Sequence, residues 1–251
     1  MSEFTTCDGK QLARSFGRAA EAYERGRPGY AEAALDAVGL APDAVVLDLA
    51  AGTGKLTRQL VPRFARVLAV EPLEEMRAVL ERVVPDAETL LGTADAIPLE
   101  DDAVDAVFVA EAFHWFSTGS VLREIARVLR PGGVLAILFN QGDGKIEPPL
   151  PQAFRDAIDE LAIKKRPEQT VSSGHWRTPF PGPFEPFAEA SFPNPVERDR
   201  QGMLDQVASW SMVAGLPDDR RALLLARLGA MLPEGRYVDP LRTELSRTRL
   251  G

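Results

Sequence analysis

Small residues follow an apolar run early in the sequence. After Val45-Val46-Leu47 the chain reads Asp48-Leu49-Ala50-Ala51-Gly52-Thr53-Gly54, and the amphipathic stretch Gly54–Arg63 follows at once. Small side chains let the backbone approach a ligand closely, and the first turn of a helix offers unpaired N–H groups and a partial positive charge. Such a turn suits the carboxylate of an amino-acid tail or a phosphate. The alternative, a plain strand-to-helix turn, needs only one glycine.

A glutamate ends the next apolar run, Val67-Leu68-Ala69-Val70-Glu71, and follows Asp48 by 23 positions. An acid about 20 residues past a glycine turn, at the tip of the second strand, is placed to accept hydrogen bonds from two ribose hydroxyls. Together, the turn and Glu71 predict a ligand that carries a ribose.

The elements that must position these residues alternate between short apolar runs and amphipathic stretches, which is typical of βαβ units and a parallel sheet. Continuous apolar runs such as the one before Asp48 suit strands that are buried on both faces. The predicted strands are Ala44–Leu49, Arg66–Glu71, Glu88–Gly92, Ala103–Glu111 and Gly133–Asn140. The predicted helices between them are Gly54–Arg63, Leu73–Val84 and Thr118–Leu129, and Pro131-Gly132-Gly133 is expected to stop the last of these.

The segments on either side of this core do not show the same alternation of apolar runs and amphipathic stretches. Before the core we predict the helices Gly9–Tyr30 and Tyr30–Val38, separated by a Gly/Pro break. After it we predict a loop over Gly142–Pro151, helices Gln152–Lys165, Gly202–Ala214 and Asp218–Leu232, an edge strand within Phe184–Phe192 and a final strand Tyr237–Leu250.

The run Leu47–Gly54 resembles the cofactor loop of class I S-adenosylmethionine-dependent methyltransferases. More narrowly, the chain is similar to the methyltransferase type 11 group that includes the ubiquinone-biosynthesis and trans-aconitate methyltransferases. Further stretches match that group in order and spacing, namely Tyr23–Tyr30, Gly92–Pro98, Glu111–Phe116 and Leu129–Gly133.

The resemblance covers nearly the whole chain and implies one class I methyltransferase domain over residues 1–251. It implies an α/β, Rossmann-like fold with a seven-stranded, mostly parallel sheet in the order 3-2-1-4-5-7-6. Strand 7 would be antiparallel, with helices on both faces and a helical cap. Within the domain it implies N-terminal cap helices over 9–39, a cofactor-binding core over 44–140, and variable acceptor-side segments over 141–183 and 197–235.

The resemblance also implies S-adenosylmethionine as cofactor and assigns residues to it. Gly52 and Gly54 would underlie its methionine tail, and Glu71 would hold its ribose. The remaining cofactor positions implied by the matching motifs are Tyr23, Arg27, Asp48, Ala50, Thr53, Pro72, Met76, Asp95, Ala96, Glu111 and Phe113. Arg27 would pair with the cofactor carboxylate. Ala50 stands where many members have a glycine, and an alanine permits the close turn if its φ is negative.

His114 is one of two histidines and sits beside Trp115, just past a predicted strand tip. It is a candidate general base that takes a proton from a hydroxyl or amine acceptor. Alternatively, it packs or hydrogen-bonds near the cofactor. Residues expected at the acceptor are Tyr30, Trp115 and Trp176, although aromatic residues at a strand end are also common in the core.

Composition restricts the partners. The net charge of −8 and the pI near 5.0 argue against nucleic acid as substrate, because binding it requires a basic surface. We therefore expect a small-molecule acceptor. No apolar stretch is long enough for a membrane span, so we expect no membrane partner. The single cysteine and the absence of a secretory signal favour a cytoplasmic chain. Two histidines and one cysteine, scattered, predict no metal site. The oligomeric state stays open.

The predicted reaction is an in-line displacement, achieved mainly by positioning the acceptor and excluding water. A non-catalytic S-adenosylmethionine-binding module remains an alternative. A nicotinamide-dependent oxidoreductase is a weaker one, because Lys55 occupies the position of the third glycine in the dinucleotide fingerprint. A nucleic-acid adenine methylase would carry an Asn/Asp-Pro-Pro-aromatic run where this chain has Glu111-Ala112-Phe113-His114.

Overall fold

A computed structural model describes residues 20–146, 149–162, 174–180 and 182–251. Seven strands form one sheet in the order β3-β2-β1-β4-β5-β7-β6. The strands are β1 Val45–Leu49, β2 Arg66–Val70, β3 Glu88–Leu90, β4 Val104–Ala110, β5 Leu129–Gly142, β6 Ala188–Asp199 and β7 Arg236–Arg249. Strands β1 to β5 pair in parallel, whereas β7 is antiparallel to both β5 and β6. The predicted strand order and the direction of β7 are confirmed.

The helices within the described ranges are α1 Ala20–Gly26, α2 Glu32–Asp36, α3 Thr57–Leu60, α4 Glu74–Val83, α5 Gly119–Val128, α6 Gln152–Ala162, α7 Arg200–Ala208, α8 Ser211–Ala214 and α9 Asp218–Met231. Helix α5 shows why these segments become helical, because its apolar residues recur on one face and are buried there, as Leu122 and Ile125 illustrate. The Thr118 side chain accepts a hydrogen bond from the Val121 N–H and thereby caps its first turn.

Apolar clusters cover both faces of the sheet. One cluster contains Leu47 and Val107, and the other contains the alternating neighbours Val46 and Phe108. Side chains alternate between the faces of a strand, so a strand buried on both sides must be apolar at successive positions. This explains the continuous apolar runs of the sequence.

The structure corrects two boundaries of the core. The helix predicted over Gly54–Arg63 is limited to α3, because Gly54 has a φ of +84°, which no right-handed helix contains, and Pro62 removes a helical N–H near its end. The strand predicted to begin at Gly133 begins at Leu129. Leu129 pairs with Val104 before the register shifts, so Pro131-Gly132-Gly133 forms an irregularity within β5.

The later segments also depart from prediction. Strand β6 lies at the predicted edge but runs over Ala188–Asp199, with Pro193 and Pro195 inside it, because an edge strand has one side that needs no ladder hydrogen bonds. The helix predicted over Gly202–Ala214 is two helices, α7 and α8, separated where Trp210 adopts an extended conformation.

Two of the helices predicted on either side of the core extend beyond the described residues. Of the predicted helix Gly9–Tyr30, the structure describes the part from Ala20 onward, which is helical to Gly26. The end of the helix predicted to Lys165 also lies outside, and α6 is described to Ala162. Within the described ranges, no helix has the length and apolar character needed to cross a bilayer.

Candidate functional site

The turn that follows β1 is built from residues with positive φ. Ala50 has a φ of +60°, Gly52 of +59° and Gly54 of +84°. Glycine adopts these angles without strain, but an L-residue does so at a cost. The condition of a negative φ at Ala50 is therefore not met, and an alanine occupies a left-handed position in this turn.

Glu71 ties this turn to the end of β2. Its Oε2 accepts a hydrogen bond from the Gly52 N–H at 2.8 Å, and its Oε1 accepts one from the Leu73 N–H at 2.9 Å. The side chain is 4% exposed, and burial raises the pKa of its carboxyl. Each oxygen keeps a second lone pair that can accept a further hydrogen bond. Glu71 thus presents an ordered acceptor at the carboxyl edge of the sheet.

Asp48 lies one layer deeper. Its Oδ2 accepts a hydrogen bond from the Thr57 hydroxyl at 2.7 Å, and the residue is 1% exposed. Burial raises the pKa of this carboxyl to about 7. Because Asp48 faces the packed interior, it supports the turn by bonding to α3.

A cavity of about 540 Å³ opens along the carboxyl edge, where ligands bind in open α/β sheets. Predicted cofactor residues that line it are Tyr23, Ala50, Gly52, Glu71, Pro72, Met76, Asp95 and Glu111, and Trp115 from the predicted acceptor set also lines it. Sequence reasoning missed Leu73 and Thr93, which line it too. Leu73 follows Glu71 by two positions, and its backbone N–H donates a hydrogen bond to the Glu71 carboxylate. Because a backbone donor does not depend on the side chain, the sequence gave no signal for it.

Several predicted cofactor residues lie behind the wall instead. Gly54 packs against α4, since a Cβ added there would lie 2.4 Å from Leu80 Cδ1. Thr53 is fully buried, and Phe113 is buried in the aromatic core, 5.9 Å from Trp176 between ring centroids. These residues would affect a ligand only indirectly, by packing behind the residues that line the cavity. Ala96 forms a β-bridge with Thr93 next to Asp95 but does not itself line the cavity.

The electrostatic character of this cavity is acidic. Its wall carries the carboxylates of Glu71, Asp95 and Glu111, and none of its described lining residues is lysine or arginine. Glu111 has a φ of +58°, and its Oε1 accepts a hydrogen bond from the Asn140 N–H at 2.5 Å. Such a wall favours a cationic ligand and repels an anionic one.

His114 lies on a short 3₁₀ turn, Phe113–Trp115, just past β4. Its ring centroid is 4.8 Å from that of Trp115 and 5.8 Å from that of Phe139. It is not among the lining residues of the described cavities. Trp176 is 4% exposed and borders a separate cavity of about 220 Å³ beside Phe139. The structure therefore does not bring Trp176 to the wall of the large cavity.

A second, smaller cavity of about 40 Å³ adjoins the first, with Tyr23 and Glu111 in the walls of both. Arg27 and Tyr30 line it, so these two predicted site residues lie together but not in the large cavity. Burial raises the pKa of the Tyr30 hydroxyl well above its usual value. In the described part of the chain, no group of three or more His, Cys, Asp or Glu side chains is arranged to hold a metal.

Comparison with known proteins agrees with this architecture. Residues 47–137 match the methyltransferase domain family. A solved structure assigned as a type II methyltransferase from Anaeromyxobacter dehalogenans superposes with a TM-score of 0.60 at 28% identity, over 89% of this chain and 96% of that one. Residues 47–137 thus carry the match to the methyltransferase domain family, and the chain has the Rossmann-like fold of the solved methyltransferase structure.

Two of the curated relatives are described only as uncharacterized methyltransferases or methyltransferase-like proteins. A methyltransferase of Mycobacterium tuberculosis is 50% identical over 141 residues, which is 56% of this chain and 58% of that protein. A methyltransferase-like protein of Schizosaccharomyces pombe is 29% identical over 213 residues, which is 82% of this chain and 81% of that protein. The chain thus spans just over half the length of the mycobacterial relative that it matches.

Proposed function

We propose that this protein transfers a methyl group from S-adenosylmethionine to a small-molecule acceptor. The observation that carries the proposal is the acidic wall of the 540 Å³ cavity, with Glu71 at its centre. S-adenosylmethionine carries a positive sulfonium and no phosphate, so it suits a wall of carboxylates. A nicotinamide dinucleotide would place a pyrophosphate in this same cavity, whose described lining holds no lysine or arginine to neutralise it.

The residues present fit each part of the cofactor. The volume lies within the range of about 300–1,000 Å³ that holds compact ligands. Glu71 would accept from the ribose hydroxyls, Asp95 would meet the adenine, and Pro72 and Met76 would contact its ring. Tyr23 and Gly52 would border the methionine tail, with Ala50 forming the turn beside it. Arg27 lines the adjoining 40 Å³ cavity and not the large one, and its pairing with the cofactor carboxylate stays a prediction.

Methyl transfer from this cofactor requires no general acid for the leaving group. When bound, the cofactor supplies an already activated methyl group whose thioether leaves without a proton. The chain's task is then to align the acceptor atom behind the methyl and to exclude water, and such positioning contributes about 7–11 kcal/mol in well-oriented reactions. Trp115 and Phe116 on the wall near Glu111 supply apolar surface for that exclusion. A general base is needed only for an acceptor that carries a proton on the attacking atom.

The finer assignments rest on the sequence. We infer a single domain whose acceptor side is formed by the cap helices of 9–39 and by segments 141–183 and 197–235. We further infer a small-molecule acceptor and a cytoplasmic location, with nucleic acid excluded by the net charge of −8. Similarity to the ubiquinone-biosynthesis and trans-aconitate methyltransferases remains a prediction about the subgroup.

Two measurements test the proposal. Calorimetry should detect binding of S-adenosylhomocysteine and no binding of NAD; binding of NAD alone would overturn the cofactor assignment. Incubation with S-adenosylmethionine labelled on its methyl group, together with pools of carboxylic acids, phenols and amines, should yield labelled product. Cofactor binding with no transfer to any pool or to a cell metabolite extract would favour a non-catalytic binding module.

A further inference from the structure

The 40 Å³ cavity extends from the large cavity toward the other half of the sheet. The large cavity spans the ends of β3, β2 and β1 and reaches β4 at Glu111. The small cavity begins at Glu111 and continues over Asn140 of β5 and Leu241 of β7, with Gln206 of α7 closing it. Helix α1, which ends at Gly26 just before Arg27, packs closely against α7. A Cβ added at Gly26 would lie 2.2 Å from the Asp205 carbonyl oxygen of α7.

Two cationic side chains line this small cavity together with the carboxylate of Glu111. Arg27 and Lys55 line it, and the Arg27 Nε is buried without a hydrogen-bond partner among the described residues. The Arg198 side chain is 6% exposed, and its Nε and Nη2 likewise have no hydrogen-bond partner there. Burial lowers the pKa of Arg198, and the nearby Arg27 guanidinium lowers it further.

The nearby carboxylates pair with these cations only in part. Glu24 Oε1 accepts hydrogen bonds from both Lys55, at 3.3 Å, and Arg58, at 2.6 Å. Asp239 accepts a hydrogen bond from Gln206 at 2.8 Å, and its Oδ2 is 3.8 Å from the Arg198 Nε, which is an ion pair without a hydrogen bond.

Leaving buried guanidinium donors unpaired is costly, so such an arrangement points to an anionic occupant. On the basis of the proposed function, we propose that the small cavity is a subsite for an anionic group of the methyl acceptor. Arg27 and Lys55 hold a carboxylate or a phosphate there, and Arg198 supports them from behind.

Two observations favour the acceptor over the cofactor tail as the occupant. The cofactor has a separate cavity of 540 Å³, large enough for the whole molecule. In addition, Asn140, Gln206 and Leu241 of the small cavity belong to strands and helices beyond β4, whereas Lys55, next to Gly54, brings the cavity up to the cofactor turn. Tyr23 and Glu111 stand between the two cavities, so an anion held by Arg27 would leave the rest of the acceptor close to the methyl group.

The test compares two loaded forms of the full-length protein. S-adenosylhomocysteine fills the cofactor site including the amino-acid tail, whereas 5′-methylthioadenosine leaves the tail position empty. Each complex is titrated with acetate and, separately, with inorganic phosphate by calorimetry at constant ionic strength set with chloride. We expect at least one anion to bind the S-adenosylhomocysteine complex, and the preferred anion identifies the acceptor's group as carboxylate or phosphate.

Variants identify the site. Arg27→Gln and Lys55→Gln should each weaken that anion about tenfold or more, since each removes a charge-assisted hydrogen bond, and leave the affinity for S-adenosylhomocysteine unchanged. Arg27→Lys should restore part of the loss. Arg82→Gln, which removes an exposed arginine paired with Glu21, is the matched control and should change nothing.

Three results would count against the inference in different ways. Anion binding to the methylthioadenosine complex but not to the S-adenosylhomocysteine complex would assign the cavity to the cofactor tail and overturn the inference. No anion binding to either complex, or binding that is insensitive to Arg27→Gln and Lys55→Gln, would overturn it as well. Failure of both nucleosides to bind would instead refute the proposed function on which it rests.

Discussion

Glu71 holds the glycine turn in place, because its Oε2 accepts the Gly52 N–H at 2.8 Å across the gap between β2 and β1. The other oxygen accepts the Leu73 N–H at 2.9 Å, so one carboxylate orders both chain segments that border the large cavity. The acid proposed to hold the ribose therefore also shapes the turn beside the methionine tail. Loss of this carboxylate should affect binding and folding together.

Glu71→Gln should weaken S-adenosylhomocysteine binding about tenfold or more and lower the free energy of unfolding by about 1–3 kcal/mol. The amide places a donor against a backbone N–H, so one of the two hydrogen bonds is lost, and one ribose hydroxyl loses its charged acceptor. Calorimetry and urea unfolding measure the two effects. Glu75→Gln, at an exposed position of α4, is the control. Unchanged cofactor affinity in Glu71→Gln would remove Glu71 from the ribose site.

Ala50→Gly should leave the protein as stable as wild type or up to about 1.5 kcal/mol more stable. The φ of +60° at Ala50 costs an L-residue roughly 1–2 kcal/mol, while glycine increases unfolded-state entropy by about 0.4–1 kcal/mol. The control Ala78→Gly, on the exposed side of α4, should destabilise by about 1 kcal/mol. If urea unfolding shows equal destabilisation in both variants, Ala50 is not strained.

Gly54→Ala should destabilise more than Gly132→Ala by about 1–3 kcal/mol, because overpacking adds to the cost of the backbone angle. Both glycines have positive φ, but a Cβ at Gly54 would lie 2.4 Å from Leu80 Cδ1, whereas nothing lies within 4 Å of one at Gly132. Urea unfolding of the two variants measures the difference. Adding Leu80→Ala should reduce the penalty at Gly54, and strict additivity of the two substitutions would contradict the proposed contact.

The sequence predicted best what is encoded locally. Glu71 and the glycine turn depend on neighbouring residues whose periodicity and spacing are visible in the chain, whereas the strand order was predicted from the resemblance to class I methyltransferases. The small cationic cavity depends instead on Arg27 meeting Arg198, about 170 positions away, through contacts of α1 with α7. Likewise, Phe113 reads as a site residue by motif, but packing against Trp176 makes it core. Nothing in the spacing of residues encodes such tertiary contacts.

Asp48 should make stability fall as the pH rises from about 4 to about 7. Burial raises its folded-state pKa from 3.8 to about 7, so the folded protein binds a proton that the unfolded chain has already released over this range. The stability gained from that proton is complete at low pH and is lost as the pH passes the folded-state pKa. At about 1.4 kcal/mol per pKa unit the upper limit is a few kcal/mol.

Asp48→Asn tests this because it keeps the shape and an acceptor for the Thr57 hydroxyl but cannot ionise. Urea midpoints at pH 5 and pH 8 should differ less in the variant than in the wild type. Since other groups titrate in both proteins alike, the difference between them isolates Asp48. Parallel pH dependence in the two proteins would mean that Asp48 ionises normally when folded.

His114 should act by positioning Trp115 and not as the base. Its ring lies 4.8 Å from Trp115, which lines the large cavity, and 5.8 Å from Phe139, while His114 itself does not line that cavity. Once an acceptor is known, His114→Phe should therefore retain most activity, and His114→Gln should lower it less than about tenfold without changing the pH profile. A base contributes about 10²–10⁴-fold, so both variants would lose at least a hundredfold, together with the acidic limb of kcat/KM against pH, if His114 removed the proton. The pH profile separates the two roles, because a loss of packing lowers the rate at every pH alike.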